Sequence, residues 1–323
     1  MEPLALRLLN DYQRNFPLTP RPFAAIARDV GSSEIRVLEA LRQLKRDGAV
    51  GRVGPVFAPH RLGASTLAAM SVPAGRLDAV AAIVSACAAV NHNYEREHAL
   101  NLWFVACASG TAQLERSLRG IEAATGLEVV SLPLEEAYHL DLAFDLRGAG
   151  ERPPRFIAPA PGPLPLSPAD ERLLAELQHG LPLVRQPYAA IAVSAQMDEA
   201  AVVAHLARWL QCGTVSRLGV VVHHRALGYR ANAMAVWDVP DGAVAEAGRR
   251  VAQRPFVTLC YRRRRHPPQW RYNLFCMIHG TDRQVVLGQL DELNRECGLS
   301  AHGHAVLFSR RCFKQRGARY VPE

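Results

Sequence analysis

Lysine is nearly absent from these 323 residues: all but two of the 38 basic side chains are arginine, the exceptions being Lys45 and Lys314. No run of 18 uncharged apolar residues occurs, which excludes a membrane-spanning helix. The opening Met1-Glu2-Pro3-Leu4 lacks the basic-then-apolar pattern of a secretory signal. The seven cysteines are odd in number and no two form C-x-x-C. That argues against a disulfide framework, a zinc ribbon, an iron–sulfur cluster and a c-type heme attachment. Several sit in apolar runs, as reduced thiols do, so the expected compartment is cytoplasmic.

What is present is an ordinary globular composition, 49% apolar and 21% charged, in a chain long enough for two domains. The net charge of +8 is carried by guanidinium groups, which grip carboxylate or phosphate bidentately. A GC-rich genome would give the same arginine bias. Charge alone does not choose between nucleic acid and an acidic small molecule.

The chain is one module written twice. Pro22-Phe23-Ala24-Ala25-Ile26-Ala27 returns as Pro187-Tyr188-Ala189-Ala190-Ile191-Ala192, at an offset of 165. Under that offset Gly48 meets Gly213, Val50 meets Val215, Arg52 meets Arg217, Gly54 meets Gly219 and Leu62-Gly63 meets Leu227-Gly228. With small insertions, Tyr94-Glu95-Arg96 then matches Tyr261-Arg262-Arg263 and Asn101-Leu102-Trp103 matches Asn273-Leu274-Phe275. Between the copies Arg152–Pro168 holds seven prolines in 17 residues, the composition of a stiff linker.

Each copy reads as a winged helix-turn-helix followed by a strand–helix alternation. Helices are expected over Leu4–Tyr12, Phe23–Val30 and Glu34–Asp47, with Ser33 as N-cap, Gly48 past the C-terminus and a wing strand at Val50–Phe57. Ser65–Val72, Val90–His98, Asn101–Ala108 and Leu127–Leu134 read as strands, Leu77–Ala88 and Ala112–Thr125 as helices. The order βαββαβ is ferredoxin-like. The expected fold is therefore α+β, a tandem duplication, with winged helices at 1–60 and 169–226, ferredoxin-like domains at 61–150 and 227–323, and the linker at 151–168. Two such sheets are expected to pair within the chain as a pseudo-dimer; whether chains pair further into a homodimer is left open.

A helix-turn-helix suggests DNA, but the recognition helices do not support it. Glu34 to Asp47 mixes acids and bases, and Asp198 to Cys212 opens on two acids with Arg208 as its one arginine or lysine. Phosphate neutralisation and base reading both need more, so DNA is not expected as a partner, nor is a membrane. The unusual chemistry sits on the middle strands instead. Two-residue alternation places Tyr94, Arg96 and His98 on one face, and Tyr261, Arg263 and Arg265 on one face of the run Tyr261-Arg262-Arg263-Arg264-Arg265-His266. A charge run is usually a solvated face. Here it is interleaved with aromatics on a sheet surface, which fits a flat aromatic ligand bearing many carboxylates. A lone histidine is more often structural than a ligand, and His98, His139, His266, His279, His302 and His304 carry that discount.

These residues carry a resemblance. A winged helix-turn-helix followed by βαββαβ resembles the Lrp/AsnC regulators, and the motifs resemble more closely the siroheme decarboxylases of that superfamily. Tyr94-x-Arg96-x-His98-x-x-Asn101-Leu102-Trp103-Phe104 and Tyr138-His139-Leu140-Asp141 are similar to the NirD or AhbA type. Tyr261-Arg262-Arg263-Arg264, Tyr272-Asn273-Leu274-Phe275 and Ser309-Arg310-Arg311-x-Phe313-Lys314 are similar to the NirL or AhbB type, so the chain resembles a fused pair.

The resemblance implies a carbon–carbon lyase of heme d1 biosynthesis, a non-oxidative decarboxylase. It would convert siroheme through the monodecarboxylated form to 12,18-didecarboxysiroheme, with no cofactor beyond the iron that the substrate brings. Tyr94, Arg96, His98, Arg263, Arg264 and Arg265 would hold carboxylates and supply protons. Asn101, Trp103, Tyr261, His266, Tyr272, Asn273, His302, His304 and Lys314 would bind the macrocycle. A histidine is a candidate ligand of the substrate iron, and which one stays open. The rival readings are an Lrp/AsnC-type transcription regulator sensing heme or a small ligand, and a carrier that binds a tetrapyrrole unchanged.

Overall fold

The computed structural model describes residues 2–59, 61–140, 162 and 164–320. In the first repeat α1 (Pro3–Asp11), α2 (Pro22–Val30) and α3 (Glu34–Arg46) precede β1 (Val50–Phe57). α1 and α2 each carry proline in the first turn, where the missing N–H was unpaired anyway. The Ser33 side chain accepts the Arg36 amide as the expected N-cap, and Gly48, at φ +75°, lets the chain reverse from α3 into β1. α6 (Pro168–Leu177), α7 (Pro187–Ala195), α8 (Glu199–Gln211) and β6 (Val215–Val222) repeat the pattern. The linker expected at 151–168 lies mostly outside the described residues, and its last residue is a correction: Pro168 is the first residue of α6, behind a capping box built by Ser167 and Asp170.

The two helix-turn-helix modules share one hydrophobic core. Leu8, Phe23, Ile26 and Leu41 of the first pack in the same cluster as Leu173, Tyr188, Leu206 and Trp209 of the second. The wings pair antiparallel, and Gly54 stands opposite its own repeat mate Gly219. A pseudo-twofold axis therefore passes between the two glycines.

The ferredoxin-like halves follow the expected order. The first comprises β2 (Ala64–Met70), α4 (Leu77–Ala86), β3 (Val90–Arg96), β4 (Leu102–Ala108), α5 (Thr111–Thr125) and β5 (Val130–Leu140). The second comprises β7 (Ala231–Trp237), α9 (Val244–Ala252), β8 (Val257–Arg263), β9 (Leu274–Gly280), α10 (Arg283–Glu296) and β10 (His304–Gln315). The sheets join at both edges, β5 to β8 and β10 to β3, and close a barrel in the order β10-β3-β4-β2-β5-β8-β9-β7. The pseudo-dimer thus forms within one chain, and each barrel strand has a partner strand on either side in that order.

Closure explains where strand lengths depart from expectation. β5 runs to Leu140 rather than Leu134 because its far half pairs with β8, from Leu134 opposite Arg263 to Leu140 opposite Leu259. That pairing belongs to the other repeat and leaves no local pattern. The helices cover the outside of the barrel, with Leu114 of α5 in one core with Ala68 and Phe104 and Leu290 of α10 in another with Ala235 and Cys276. Inside, Leu67, Trp103, Val130, Met234, Tyr261, Trp270, Phe275 and Leu307 form a separate apolar cluster. That cluster floors the site described next.

Candidate active site

Above the aromatic cluster the barrel opens into a cavity of about 520 Å³. This is the size of a small-molecule site. Its floor includes Leu67, Trp103, Met234, Tyr261 and Met277; the paired wings contribute Gly51, Arg52, Val221 and Val222; the C-terminal segment Gln315–Tyr320 forms a further wall. Five arginines line it (Arg52, Arg96, Arg217, Arg316 and Arg319), with five histidines (His92, His179, His223, His224 and His279). No aspartate or glutamate is among the described residues of the lining. Cations gathered behind low-dielectric walls repel one another unless an anion joins them.

The pseudo-twofold axis relates two corners at the floor. In the first, the Arg96 guanidinium lies 5.8 Å from the Tyr94 ring centre and Nη1 donates to the Leu307 carbonyl at 3.1 Å. In the second, Arg263 lies 4.6 Å from the Tyr261 ring centre and Nη1 donates to the Leu132 carbonyl at 2.7 Å. Each arginine leaves Nε buried with no protein partner. Burial holds both guanidinium groups below the usual arginine range.

Opposite these arginines the repeats differ. His279 of β9 sits beside the first corner; Thr258 Oγ1 and His279 Nδ1 are 2.8 Å apart, and the His224 ring centre is 4.5 Å from that of His279. The equivalent place in the other repeat holds Cys107, beside Asn91 at 3.4 Å. Tyr320 of the C-terminal segment hydrogen-bonds this thiol, which burial pushes up to about 11. The corners therefore differ in chemistry: one offers imidazoles, the other is covered by a phenol.

Three of the imidazoles, those of His92, His224 and His279, are held toward the neutral form. Burial, and secondarily His223, lowers His92 to about 4. Burial lowers His224 to about 4, helped by Arg225, His223, His92 and Arg96, and it holds His279 well below the histidine range, helped by His224 and Arg96. The Nδ1 of His223 lies 3.0 Å from the Gly48 carbonyl, which fixes that nitrogen as a donor.

Of the residues expected at the site, Tyr94, Arg96, Trp103 and Tyr261 line the cavity. Arg263 stands beneath Tyr261. The others are placed elsewhere, and each placement has a physical reason. β3 ends at Arg96, so His98 leaves the expected face; its Nδ1 accepts the Leu100 amide at 3.0 Å and its ring packs on Trp270. β8 ends at Arg263, so Arg265 does not share a face with Tyr261 and Arg263. It pairs outside the cavity with Asp238 at 2.8 Å and Asp241 at 2.6 Å, and Arg264, 70% exposed, approaches Glu135. The four-arginine run is thus neutralised mostly by surface acids, with Arg262 bridging Glu135 and Asp241.

Asn101 and Asn273 act as brackets, each bonding both the N–H and the carbonyl of one backbone residue, Val72 and Val239 respectively. His266 makes a backbone bridge to Trp270, Tyr272 packs on Trp270, and neither belongs to the lining. His302 lies in a turn and His304 opens β10 on the surface. Lys314 Nζ donates to the carbonyls of Ser85 and Cys87, tying β10 to the end of α4.

Sequence reading missed Arg52, His92, His223, His224, His279 and Tyr320 as site residues. Two signals were available. His92 lies two residues before Tyr94 and so shares its face under the same alternation, and His223-His224 stand where the first repeat has Ala58-Pro59.

Comparison with known proteins agrees over the whole chain. A family model described as "AsnC-like ligand binding domain" matches residues 61–139 and 226–314, and one described as "Siroheme decarboxylase NirDL-like HTH domain" matches 6–50 and 170–215. The siroheme decarboxylase NirDL subunit of Paracoccus denitrificans is 46% identical over 98% of this chain and 97% of its own. The siroheme decarboxylase NirD subunit of Pseudomonas aeruginosa is 52% identical over 46% of this chain and 99% of its own. A crystal structure of the siroheme decarboxylase NirDL with an iron-uroporphyrin III analogue superposes with a TM-score of 0.69, at 30% identity over 98% of this chain and 93% of that one.

Proposed function

The chain belongs to the siroheme decarboxylases of the fused NirDL type, and on that footing we propose that it removes the C12 and C18 acetate carboxylates of siroheme to give 12,18-didecarboxysiroheme. The observation that carries this reading is the cavity whose described lining holds five arginines and five histidines, no aspartate or glutamate, and an aromatic floor. Siroheme is flat, aromatic and ringed by carboxylates. Its carboxylates complement the guanidinium groups of the lining, and Trp103 and Tyr261 supply the surfaces beneath it. The solved NirDL relative holds a macrocycle of this type, which supports the same occupant here.

The reaction balances as a non-oxidative carbon–carbon lyase step. Each acetate side chain, CH2–COO−, takes up one proton and leaves as CO2 and a ring methyl. Protonation of the electron-rich pyrrole carbon opens a sink for the C–C electron pair, CO2 departs, and the exocyclic carbon is protonated as the ring carbon gives its proton back. No oxidant or reductant enters this equation.

Arg96 and Arg263 are assigned to the carboxylates, because guanidinium stays charged and each has an unpaired buried Nε. Proton movement is assigned to His224 and His279, with His92 and His223 around them. Burial favours the neutral form of His92, His224 and His279, and a polyanion beside them favours the charged form, since a nearby negative charge stabilises it. The substrate thereby creates the acid that acts on it, and the His224–His279 pair is our candidate for the ligand of the substrate iron.

The discriminating experiment is anaerobic incubation of the purified chain with siroheme, followed by mass analysis of the tetrapyrrole. Loss of one and then two CO2 is expected. Siroheme that is bound and returned intact would make the protein a carrier.

A further inference from the structure

Arg52 belongs to the first wing, a part of the fold that serves DNA binding in helix-turn-helix proteins. Here it lines the cavity. Its side chain is threaded between three glycines. A Cβ at Gly180 would stand 3.0 Å from the Arg52 Cβ, one at Gly54 3.2 Å from Nη1, and one at Gly317 3.1 Å from Nε. A side chain at any of the three would press on Arg52, so glycine at these places leaves room for its stem and guanidinium. Nη1 donates to the Pro55 carbonyl at 2.7 Å. No carboxylate of the described lining neutralises it, and burial alone pushes it down to about 10.

Its repeat mate differs. Arg217 is 7% exposed, and its Nη1 donates to the backbone carbonyls of Gln13 at 2.6 Å and Val220 at 3.4 Å, locking the wing to the segment after α1. Gly219, the mate of Gly54, packs against the Gln13 carbonyl rather than beside an arginine stem. Both arginines of the repeated position line the cavity, but they have divided: Arg217 also ties its wing to the segment after α1, while the hydrogen bond of Arg52 stays within its own wing.

Resting on the siroheme reading, we infer that Arg52 grips a peripheral carboxylate of the macrocycle and is a specificity-determining residue for rings that carry acid groups all round. The paired wings are then the acid-reading roof of the site. Positive charge on the floor alone would accept any porphyrin whose few acids reach Arg96 or Arg263; a second cation held across the cavity rewards acids on more than one edge.

The test is titration of the full chain by the heme absorbance band, using iron uroporphyrin III, which has eight carboxylates, and iron mesoporphyrin, which has two. Arg52→Gln should weaken iron uroporphyrin about tenfold, the size of one lost charge-assisted hydrogen bond. It should change iron mesoporphyrin less than twofold. Arg52→Lys should recover part of the loss, and KM for siroheme should rise with kcat within about twofold. Equal weakening of both porphyrins would mean that Arg52 only supports the wing, and no change in either would mean that it touches no carboxylate; both results overturn the inference. A wild-type chain that binds neither overturns the siroheme reading itself, and this inference with it.

Discussion

Cys107 and His279 occupy equivalent places in the two repeats, yet Cys107 is covered by the Tyr320 hydroxyl while His279 meets Thr258 and His224. A barrel with two nearly equal corners has been made one-sided by a thiol, a phenol and an imidazole. Chemistry is expected where the imidazoles are.

His279→Ala and His224→Ala should each lower decarboxylation at least a hundredfold, the range of a lost general acid. Cys107→Ser should stay within about threefold of wild type. Turnover of siroheme, with the melting temperature as the folding control, checks this. Full activity of both histidine variants would move the reacting centre elsewhere.

Tyr320→Ala should uncover Cys107. In the wild type the thiol is 4% exposed and raised to about 11, so at pH 8 it is almost wholly protonated and shielded. Alkylation at pH 8 followed by peptide mass mapping should label Cys107 in the variant at least tenfold faster.

The empty protein should lose stability as the pH falls from about 6.5 to about 4. His92 and His224 titrate near 6.5 when unfolded but at about 4 when folded, so the unfolded chain binds more protons across that window. The slope is about 1 kcal/mol per pH unit for each, after allowance for solvent in the cavity. Denaturant midpoints at pH 7 and pH 5 measure it. Iron uroporphyrin should reverse the trend and take up protons on binding, readable by calorimetry in two buffers of different ionisation enthalpy.

Arg265→Ala should cost about 1 kcal/mol of stability through its pairs with Asp238 and Asp241, and leave KM for siroheme within twofold. Arg96→Gln should do the reverse, raising KM at least tenfold with little change in melting temperature. Equal effects of the two on KM would contradict the division between surface and cavity arginines.

The duplication, the wing β1 and the order of each ferredoxin-like half were legible because repeat matches, caps and alternation are local signals. Tyr94 and Arg96 were legible for the same reason: two-residue spacing held as far as β3 ran. It failed at His98 and Arg265, where strands ended two residues earlier than alternation implied. Asn101 and Asn273 were expected to bind the macrocycle through the resemblance, and they recur in both copies because each copy needs the same backbone bracket. Arg52, His223 and Tyr320 reach the cavity only because the wings pair and the C-terminal segment folds back across the barrel, contacts between distant parts of the chain that leave no periodic trace.

The most direct test is anaerobic turnover of siroheme in D2O, read as the mass of the recovered tetrapyrrole. Two carboxylates should be lost, with one deuterium delivered into each new methyl group. Unchanged siroheme, or a decarboxylated product whose new methyl groups hold no solvent deuterium, would contradict a cavity that binds the macrocycle by its acids and protonates it through histidine.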